Sequence, residues 1–162
     1  MLPCIVFLIL HLSQLADAKS QLFLKDAVVI SGQPLPNFDL VNLEGARVSP
    51  QELRTGKVLL VFLTTNCQAC QKEFKLLSRV ESQISDQVKI YGVGIQNQNQ
   101  ITKFIQQHEI KTKILLDKDA ALMQSLSVKY FPTKFLVEDG VIVKTWFGNS
   151  PDESELFKQL GL

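Results

Sequence analysis

Cysteine is scarce in this sequence of 162 residues, which contains three, at positions 4, 67 and 70. Small domains that are built around disulfides need many more, so a disulfide scaffold is excluded. Lysine and arginine together number 17 against 16 aspartates and glutamates, and no long basic run occurs. Because nucleic-acid binding needs clustered positive charge, we expect no nucleic-acid partner.

The sequence also lacks an apolar run of the roughly 20 residues that a membrane-spanning helix needs. The apolar stretch over residues 2–15 is shorter, and the small residues Ala16 and Ala18 after it are typical of a signal peptidase site. These features predict a signal peptide over residues 1–18 and one domain over residues 19–162, acting in the periplasm or otherwise outside the cytoplasm. No lysine or arginine precedes the stretch, so an uncleaved anchor or a buried N-terminal helix stays open.

Apolar strands alternate with amphipathic helices along the rest of the chain, in the predicted order β-α-β-α-β-α-β-β-α. A continuous apolar run over residues 58–63 predicts a central strand that is buried on both faces. Apolar residues three and four apart predict an amphipathic helix over Gln68–Ile84. The other predicted strands are 88–95, 114–116, 133–138 and 141–146, and the other predicted helices are 101–108, 120–126 and 152–160. This order predicts a three-layer α/β/α sandwich, with a mainly parallel sheet and an antiparallel hairpin at one side.

Three further predictions concern turns and helix ends. A glycine-containing turn at residues 44–45 predicts a short N-terminal hairpin over residues 38–48. The polar run over residues 96–100 is expected to be a loop. Ser150 is expected to cap the last helix, with Pro151 at its first position.

The chemistry concentrates in a Cys-x-x-Cys pair, which directly follows the predicted central strand and opens a helix. Unpaired N–H groups and the helix dipole at a helix N-terminus stabilise a thiolate, so Cys67 is expected to be more acidic than a free thiol. The spacing places Cys70 one turn later, within disulfide distance. Cys67 is therefore the predicted nucleophile, and Cys70 would resolve the mixed disulfide. Asn66 or Thr65 is expected to cap the helix.

Two simpler interpretations of the pair stay open. A structural disulfide is one, although so short a loop would restrict the unfolded chain little. A zinc site is the other, but zinc needs two more nitrogen or sulfur ligands, and outside the predicted signal peptide only His108 remains. We therefore expect no metal.

Several other motifs accompany the pair, and together they indicate a family. They are Pro36-x-Phe38-x-Leu40, Gly56-Lys57 before the apolar run, Cys67-Gln68-Ala69-Cys70, Tyr130-Phe131-Pro132-Thr133 and the Asp139-Gly140 turn. Over about residues 32–162 the chain resembles the thioredoxin-like superfamily, and within it the exported bacterial TlpA/ResA-like thiol:disulfide oxidoreductases. The resemblance implies a thioredoxin-like fold with a mixed central sheet, to which the N-terminal hairpin is an addition.

The resemblance also implies site residues. In the family the proline that matches Pro132 is cis and packs beside the cysteines, and the backbone of Phe131 is available to an extended substrate. Asn66, at a position where many members have tryptophan, completes the predicted substrate-binding set. Glu73 matches an acid that in family reductases acting on apocytochrome c sets thiol acidity and moves protons, although an ordinary solvated glutamate stays open. Val61 stands where thioredoxins themselves carry a buried aspartate.

The predicted function is a thiol:disulfide oxidoreductase that acts outside the cytoplasm on protein disulfides, as a reductant in cytochrome c maturation or related exchange. We expect a monomer without a cofactor, re-reduced by a membrane dithiol donor. A peroxiredoxin-like peroxidase is one alternative, suggested by Thr64-x-x-Cys67, but Leu60 replaces the motif proline and the C-terminal half has no arginine. A non-enzymatic module that binds copper through the cysteines and His108, or binds a partner, is the other.

Overall fold

A mixed β-sheet organises the computed structural model, which describes residues 30–162. Its strands are β1 (Lys57–Leu63), β2 (Lys89–Gly94), β3 (Lys113–Leu116), β4 (Thr133–Glu138) and β5 (Val141–Phe147). They lie in the order β3-β2-β1-β4-β5, so β1 is central as predicted. β1 and β3 run parallel to β2, whereas β4 runs antiparallel to both β1 and β5. The predicted signal peptide and Cys4 lie outside the described residues.

Helices cover both faces of this sheet, which confirms the predicted α/β sandwich. The helices with described bounds are α1 (Pro50–Arg54), α2 (Gln68–Ile84), α3 (Gln98–His108), α4 (Ala121–Ser125) and α5 (Glu153–Leu160). One apolar cluster joins the sheet to α2, α3 and α5, and a second joins the other face to α1, α4 and the segment around Leu40. Within residues 30–162, no helix combines the length and apolar character that crossing a membrane requires.

The central strand owes its place to its apolar sequence. Every residue from 58 to 63 is 0% exposed, so both faces of β1 lie in the interior. Side chains alternate between the faces of a strand, and the two apolar clusters divide β1 accordingly. Leu59, Val61 and Leu63 belong to the cluster beneath α2, and Val58, Leu60 and Phe62 belong to the opposite one.

Helix α2 lies close to the sheet because β2 contains glycine where the helix crosses it. The apolar stripe of α2 is buried as predicted, and the ring of Phe74 packs edge-on against Phe104, 6.3 Å between ring centroids. A Cβ atom at Gly92 would lie 2.8 Å from the Phe74 ring, closer than packed carbons approach. The glycine therefore determines how closely α2 packs on the sheet, and with it the distance of the cysteines from the sheet.

Strand direction determines which loops meet at the edge of the sheet. β1 ends at this edge and leads into Cys67. β4 is antiparallel to β1 and begins at the same edge, with Thr133 opposite Phe62. The loop that contains Phe131 and Pro132 is therefore brought beside the cysteine pair by strand pairing.

Two predictions about the first half of the chain need correction. The N-terminal hairpin is reduced to a single antiparallel bridge between Val41 and Arg47, around a turn in which Asn42 N donates to Ala46 O at 2.8 Å. The polar run is not a loop throughout, because α3 already begins at Gln98. Asn97 caps this helix by accepting from Gln100 N at 3.0 Å, and the Gln100 side chain accepts from Asn97 N. This capping box starts the helix at Gln98, although the segment contains few apolar residues.

The prediction that Ser150 caps the last helix is also wrong. Asp152 is the cap, and its Oδ1 accepts from Glu155 N at 2.9 Å. A carboxylate at this position also interacts favourably with the helix dipole. Ser150 is instead buried, with 3% exposure.

Replacing Gly92 with alanine is expected to lower the free energy of unfolding by about 1–3 kcal/mol, because the added Cβ would overlap the buried Phe74 ring. Guanidinium denaturation of the oxidised protein measures the loss. Gly94→Ala is the matched comparison: its Cβ would lie 2.6 Å from Cδ1 of the buried Ile101, so a loss of similar size is expected. Unchanged stability of Gly92→Ala would contradict the close packing of α2 on β2.

Candidate active site

The two cysteines at the start of α2 are buried to different degrees. They form a disulfide, with 5.2 Å between their Cα atoms, which confirms the predicted pairing distance. Cys67 is half-buried, whereas Cys70 is 0% exposed. Cys67 is therefore partly accessible to a reagent from solution, whereas Cys70 is not.

The cap of α2 differs from the prediction. Cys67 itself is the N-cap residue, and its Sγ accepts a hydrogen bond from Cys70 N at 3.0 Å. Neither Asn66 nor Thr65 caps the helix, because the sulfur already occupies the place of a capping oxygen. A backbone N–H that points at a sulfur stabilises negative charge on it, so this cap favours the thiolate of Cys67 when the disulfide is reduced.

The loop before β4 lies against the first sulfur. The Phe131–Pro132 peptide is cis, as the family resemblance implied, and Cys67 Sγ lies 3.4 Å from Phe131 O. Pro132 is buried, and its carbonyl accepts from Gly148 N at 2.8 Å. Asn66 is exposed beside the cysteine. The structure thus brings Phe131 and Pro132 to the pair, and Asn66 is adjacent to it in the chain.

Glu73 is not a solvated glutamate, since it is 0% exposed. Its Oε1 lies 2.9 Å from Lys134 Nζ and accepts from Ser150 Oγ at 3.2 Å. Its Oε2 accepts from Ser150 N. Both carboxylate oxygens are therefore held by donors from β4 and from the loop between β5 and α5.

Lys134 is buried as deeply, with 1% exposure. Its Nζ donates to Glu73 Oε1, to Ser150 Oγ at 2.7 Å and to Gln159 Oε1 at 3.4 Å, so all three ammonium protons have acceptors. Burial lowers the pKa of Lys134, and the negative charge of Glu73 acts against this shift. We refer to Glu73, Lys134, Ser150 and Gln159 as the buried polar cluster.

Sequence reasoning missed three of the four members of this cluster. Lys134 gave a signal, because a lysine within a strand that is otherwise apolar needs a partner in the interior. Its partner could not be identified from the sequence, since Glu73 is 61 residues away and only the sheet topology brings the two together. Ser150 gave a misleading signal, since serine before proline is also typical of a helix cap.

His108, the residue considered for a metal, does not approach the cysteines. It ends α3, packs against the Phe104 ring at 5.0 Å and lines an open surface with Ser78 of α2 and with Ser85, which follows the C-terminal end of α2. Cys67 precedes the opposite end of that helix. Among the described residues, no group of three or more His, Cys, Asp or Glu side chains is arranged to hold a metal ion.

A mixed sheet with a Cys-x-x-Cys pair at the start of the helix after its central strand, and a cis-proline beside it, defines the thioredoxin-like oxidoreductases. The chain belongs to the AhpC/TSA family, whose model matches residues 31–145. It is 23% identical over 142 residues to the thioredoxin-like protein YneN of Bacillus subtilis, an alignment that covers 85% of this chain and 83% of YneN.

Two further comparisons agree with this class. The chain is 27% identical over 125 residues to the thiol-disulfide oxidoreductase ResA of Bacillus cereus, which covers 75% of this chain and 72% of ResA. The crystal structure of StoA from Bacillus subtilis superposes with a TM-score of 0.66 at 28% identity, and the match covers 80% of this chain and 100% of StoA. The thioredoxin-like fold and the resemblance to TlpA/ResA-like oxidoreductases are confirmed.

Breaking the buried ion pair is expected to be costly for stability. Lys134→Met should lower the free energy of unfolding by about 3–5 kcal/mol, because it leaves a buried carboxylate without its cation. The double variant Glu73→Gln with Lys134→Met removes both charges and should recover more than half of that loss. Guanidinium denaturation of the oxidised proteins measures the free energy of unfolding of the wild type, of Lys134→Met and of the double variant.

The control for this prediction is Lys113→Met, which breaks a partly exposed ion pair with Glu52 of 2.8 Å. A loss of at most about 1 kcal/mol is expected there, because solvent screens the pair. If the double variant were less stable than Lys134→Met, the charge of the unpaired carboxylate would not be the cause of the loss.

Proposed function

We propose that the protein is a thiol:disulfide oxidoreductase that acts on protein disulfides outside the cytoplasm. The observation that carries the proposal is the unequal access to the two sulfurs. Cys67 is half-buried, caps α2 and lies 3.4 Å from Phe131 O, whereas Cys70 is fully covered. This asymmetry supports Cys67 as the nucleophile and Cys70 as the resolving thiol.

The reaction has two exchange steps. In the reduced protein the Cys67 thiolate attacks one sulfur of a substrate disulfide, a Cys67–substrate bond forms, and the other substrate sulfur leaves as a thiolate that takes up a proton. The Cys70 thiolate then attacks Cys67 Sγ, the Cys67–Cys70 disulfide forms, and the second substrate sulfur leaves as a thiolate. Two electrons pass to the substrate in each cycle. A membrane dithiol donor would then supply two electrons that reduce Cys67 and Cys70 again.

The loop beside the first sulfur supports binding of an extended peptide. The backbone of Phe131 lies next to Cys67, so a substrate segment that pairs with this backbone would carry its disulfide to the nucleophile. Because Pro132 has no N–H to donate to a neighbouring strand, the backbone beside Cys67 stays open to a substrate segment. Asn66 is exposed beside Cys67 and would contact the same segment.

The substrate class and the compartment are the finer parts of the proposal. The pattern Cys67-x-x-Cys70-x-x-Glu73 supports apocytochrome c as the substrate, and the burial of Glu73 one turn after the resolving thiol is consistent with an influence on that thiol. The apolar stretch over residues 2–15 with Ala16 and Ala18 supports export. The protein would act as a monomer.

The cysteine roles predict different outcomes for two serine variants. Cys67→Ser should abolish reduction of a disulfide-bonded protein such as insulin, because no nucleophile remains. Cys70→Ser should stop after the first step and accumulate a mixed disulfide, which mass spectrometry detects as the combined mass. Cys4→Ser, made in the chain that retains residues 1–18, is the control and should leave turnover unchanged. Turnover that persists in Cys67→Ser would exclude the mechanism.

A peroxiredoxin-like peroxidase is a second candidate, because Thr64 follows β1 directly and stands three residues before Cys67. The three arginines of the sequence make other contacts: Arg47 pairs with Asp39, Arg54 donates to Leu35 O at 2.9 Å, and Arg79 pairs with Glu153. Peroxide consumption as fast as insulin reduction, lost in Cys67→Ser, would favour this candidate over disulfide exchange.

Export predicts a defined N-terminus. Expressed with residues 1–162 in a bacterium that has a periplasm, the protein should appear there beginning at Lys19, which intact-mass measurement would show. Ala18→Phe should block processing, because signal peptidase requires small side chains at the cleavage site. Ser20→Phe, beyond the cleavage site, is the control. A full-length product in the cytoplasm would contradict the proposed export.

A further inference from the structure

The buried polar cluster connects the two chain segments that form the proposed site. Glu73 lies on α2 one turn after Cys70, and Lys134 lies on β4 two residues after Pro132. The 2.9 Å contact between Lys134 Nζ and Glu73 Oε1 joins these segments directly. Ser150 closes the arrangement by bonding to both charged groups.

The two charges compensate each other almost without help from solvent, since both side chains are at most 1% exposed. Across the β1–β4 ladder Lys134 faces Val61, which is apolar. Coulomb interactions at such a site are much stronger than at the surface, and an unpaired charge there is strongly disfavoured. The charge on either side chain, Glu73 or Lys134, is therefore stable only while the other is present.

The charges of Glu73 and Lys134 also act on Cys70. It and Glu73 are three residues apart on one face of α2 and both are 0% exposed, so their Cβ atoms are about 5–6 Å apart. To resolve a mixed disulfide, the Cys70 thiol must give up its proton, which creates a second buried negative charge beside the carboxylate. An uncompensated carboxylate would oppose this step, whereas a neutral ion pair opposes it much less.

We propose that Lys134 is a positioning residue, which neutralises and holds Glu73 so that the buried Cys70 thiol can ionise and resolve the mixed disulfide. This inference rests on the proposed function, because it assigns Lys134 and Ser150 to the second exchange step. It extends the site from the cysteine pair to β4 and to the loop between β5 and α5.

Other charged groups on the surrounding elements are more distant or solvated. Glu155 of α5 is the further group whose negative charge acts on Lys134, and its side chain is 40% exposed. Lys72 of α2 and Lys144 of β5 are exposed, and Lys57 lies at the opposite end of β1. Water and salt screen these charges, so the Glu73–Lys134 pair dominates at Cys70.

Reaction with an aromatic disulfide, 5,5′-dithiobis(2-nitrobenzoate), separates the two exchange steps. Cys67 of the reduced protein attacks the reagent, releases one coloured thionitrobenzoate and forms a mixed disulfide. Cys70 then attacks Cys67 Sγ and releases the second thionitrobenzoate. The rate of the second release against pH, in a Cys4→Ser background, reports the ionisation of Cys70.

Lys134→Met should move the midpoint of this pH profile up by about one unit, because it leaves the negative charge of Glu73 beside the thiol. Glu73→Gln should move it down, because it leaves the positive charge. The variant with both changes should lie close to the wild type. Lys113→Met, which removes a lysine at the start of β3, should leave the midpoint unchanged.

Shifts of opposite sign distinguish charge compensation from a general loosening of the site, which would move both variants in the same direction. A common direction, absent shifts, or a double variant displaced as far as the single variants would overturn the inference. If Lys134→Met does not fold, Glu73→Gln and the double variant decide. A wild-type protein that never releases the second thionitrobenzoate would contradict the proposed function itself.

Discussion

The antiparallel pairing of β4 with β1 is the constraint on which the site depends. Because β4 begins where β1 ends, the cis-proline loop lies against Cys67, and the second residue of β4 faces the helix that carries both cysteines. Reversing the direction of β4 would carry both Pro132 and Lys134 to the end of the sheet that lies away from Cys67. Strand direction therefore brings together the proposed nucleophile, the backbone that is proposed to face substrate, and the buried charge pair.

The buried charge pair is expensive to maintain, since apolar residues of similar size would stabilise most interiors at least as well. In this chain Val61 occupies the place at which thioredoxins carry a buried aspartate, and Lys134 lies directly across from it on β4. The acid is instead at Glu73, on the helix itself. A carboxylate on α2 keeps a fixed relation to Cys70, because both belong to one rigid helix.

Local periodicity was sufficient to predict the framework. The bounds of α2 and β4 agree with the predicted ranges, since the apolar spacing of three and four in α2 and the buried run in β4 have no competing interpretation. The cysteine pair could also be identified, because its motif is contiguous, and the cis-proline was implied by the family resemblance. These residues supply the part of the site that is proposed to act on substrate.

The errors arose where one short segment had two reasonable partners. Ser150 could cap a helix or bind a buried carboxylate, and the nearby Asp152 formed the better cap. Asn97 lies in a polar run without an apolar stripe, so only its hydrogen bonds with Gln100 reveal the helix start. The partnership of Glu73 with Lys134 depends on strand order, which no local pattern contains.

The C-terminal helix has a consequence for any attempt to define a minimal version of this protein. Gln159 of α5 accepts from Lys134 Nζ, and Ser150 lies in the segment that leads to this helix. A chain trimmed before residue 150 would retain every residue that is proposed to touch substrate, yet water would enter between α2 and β4. Such a fragment would look complete by its motifs and would have lost the dry surroundings of its second sulfur.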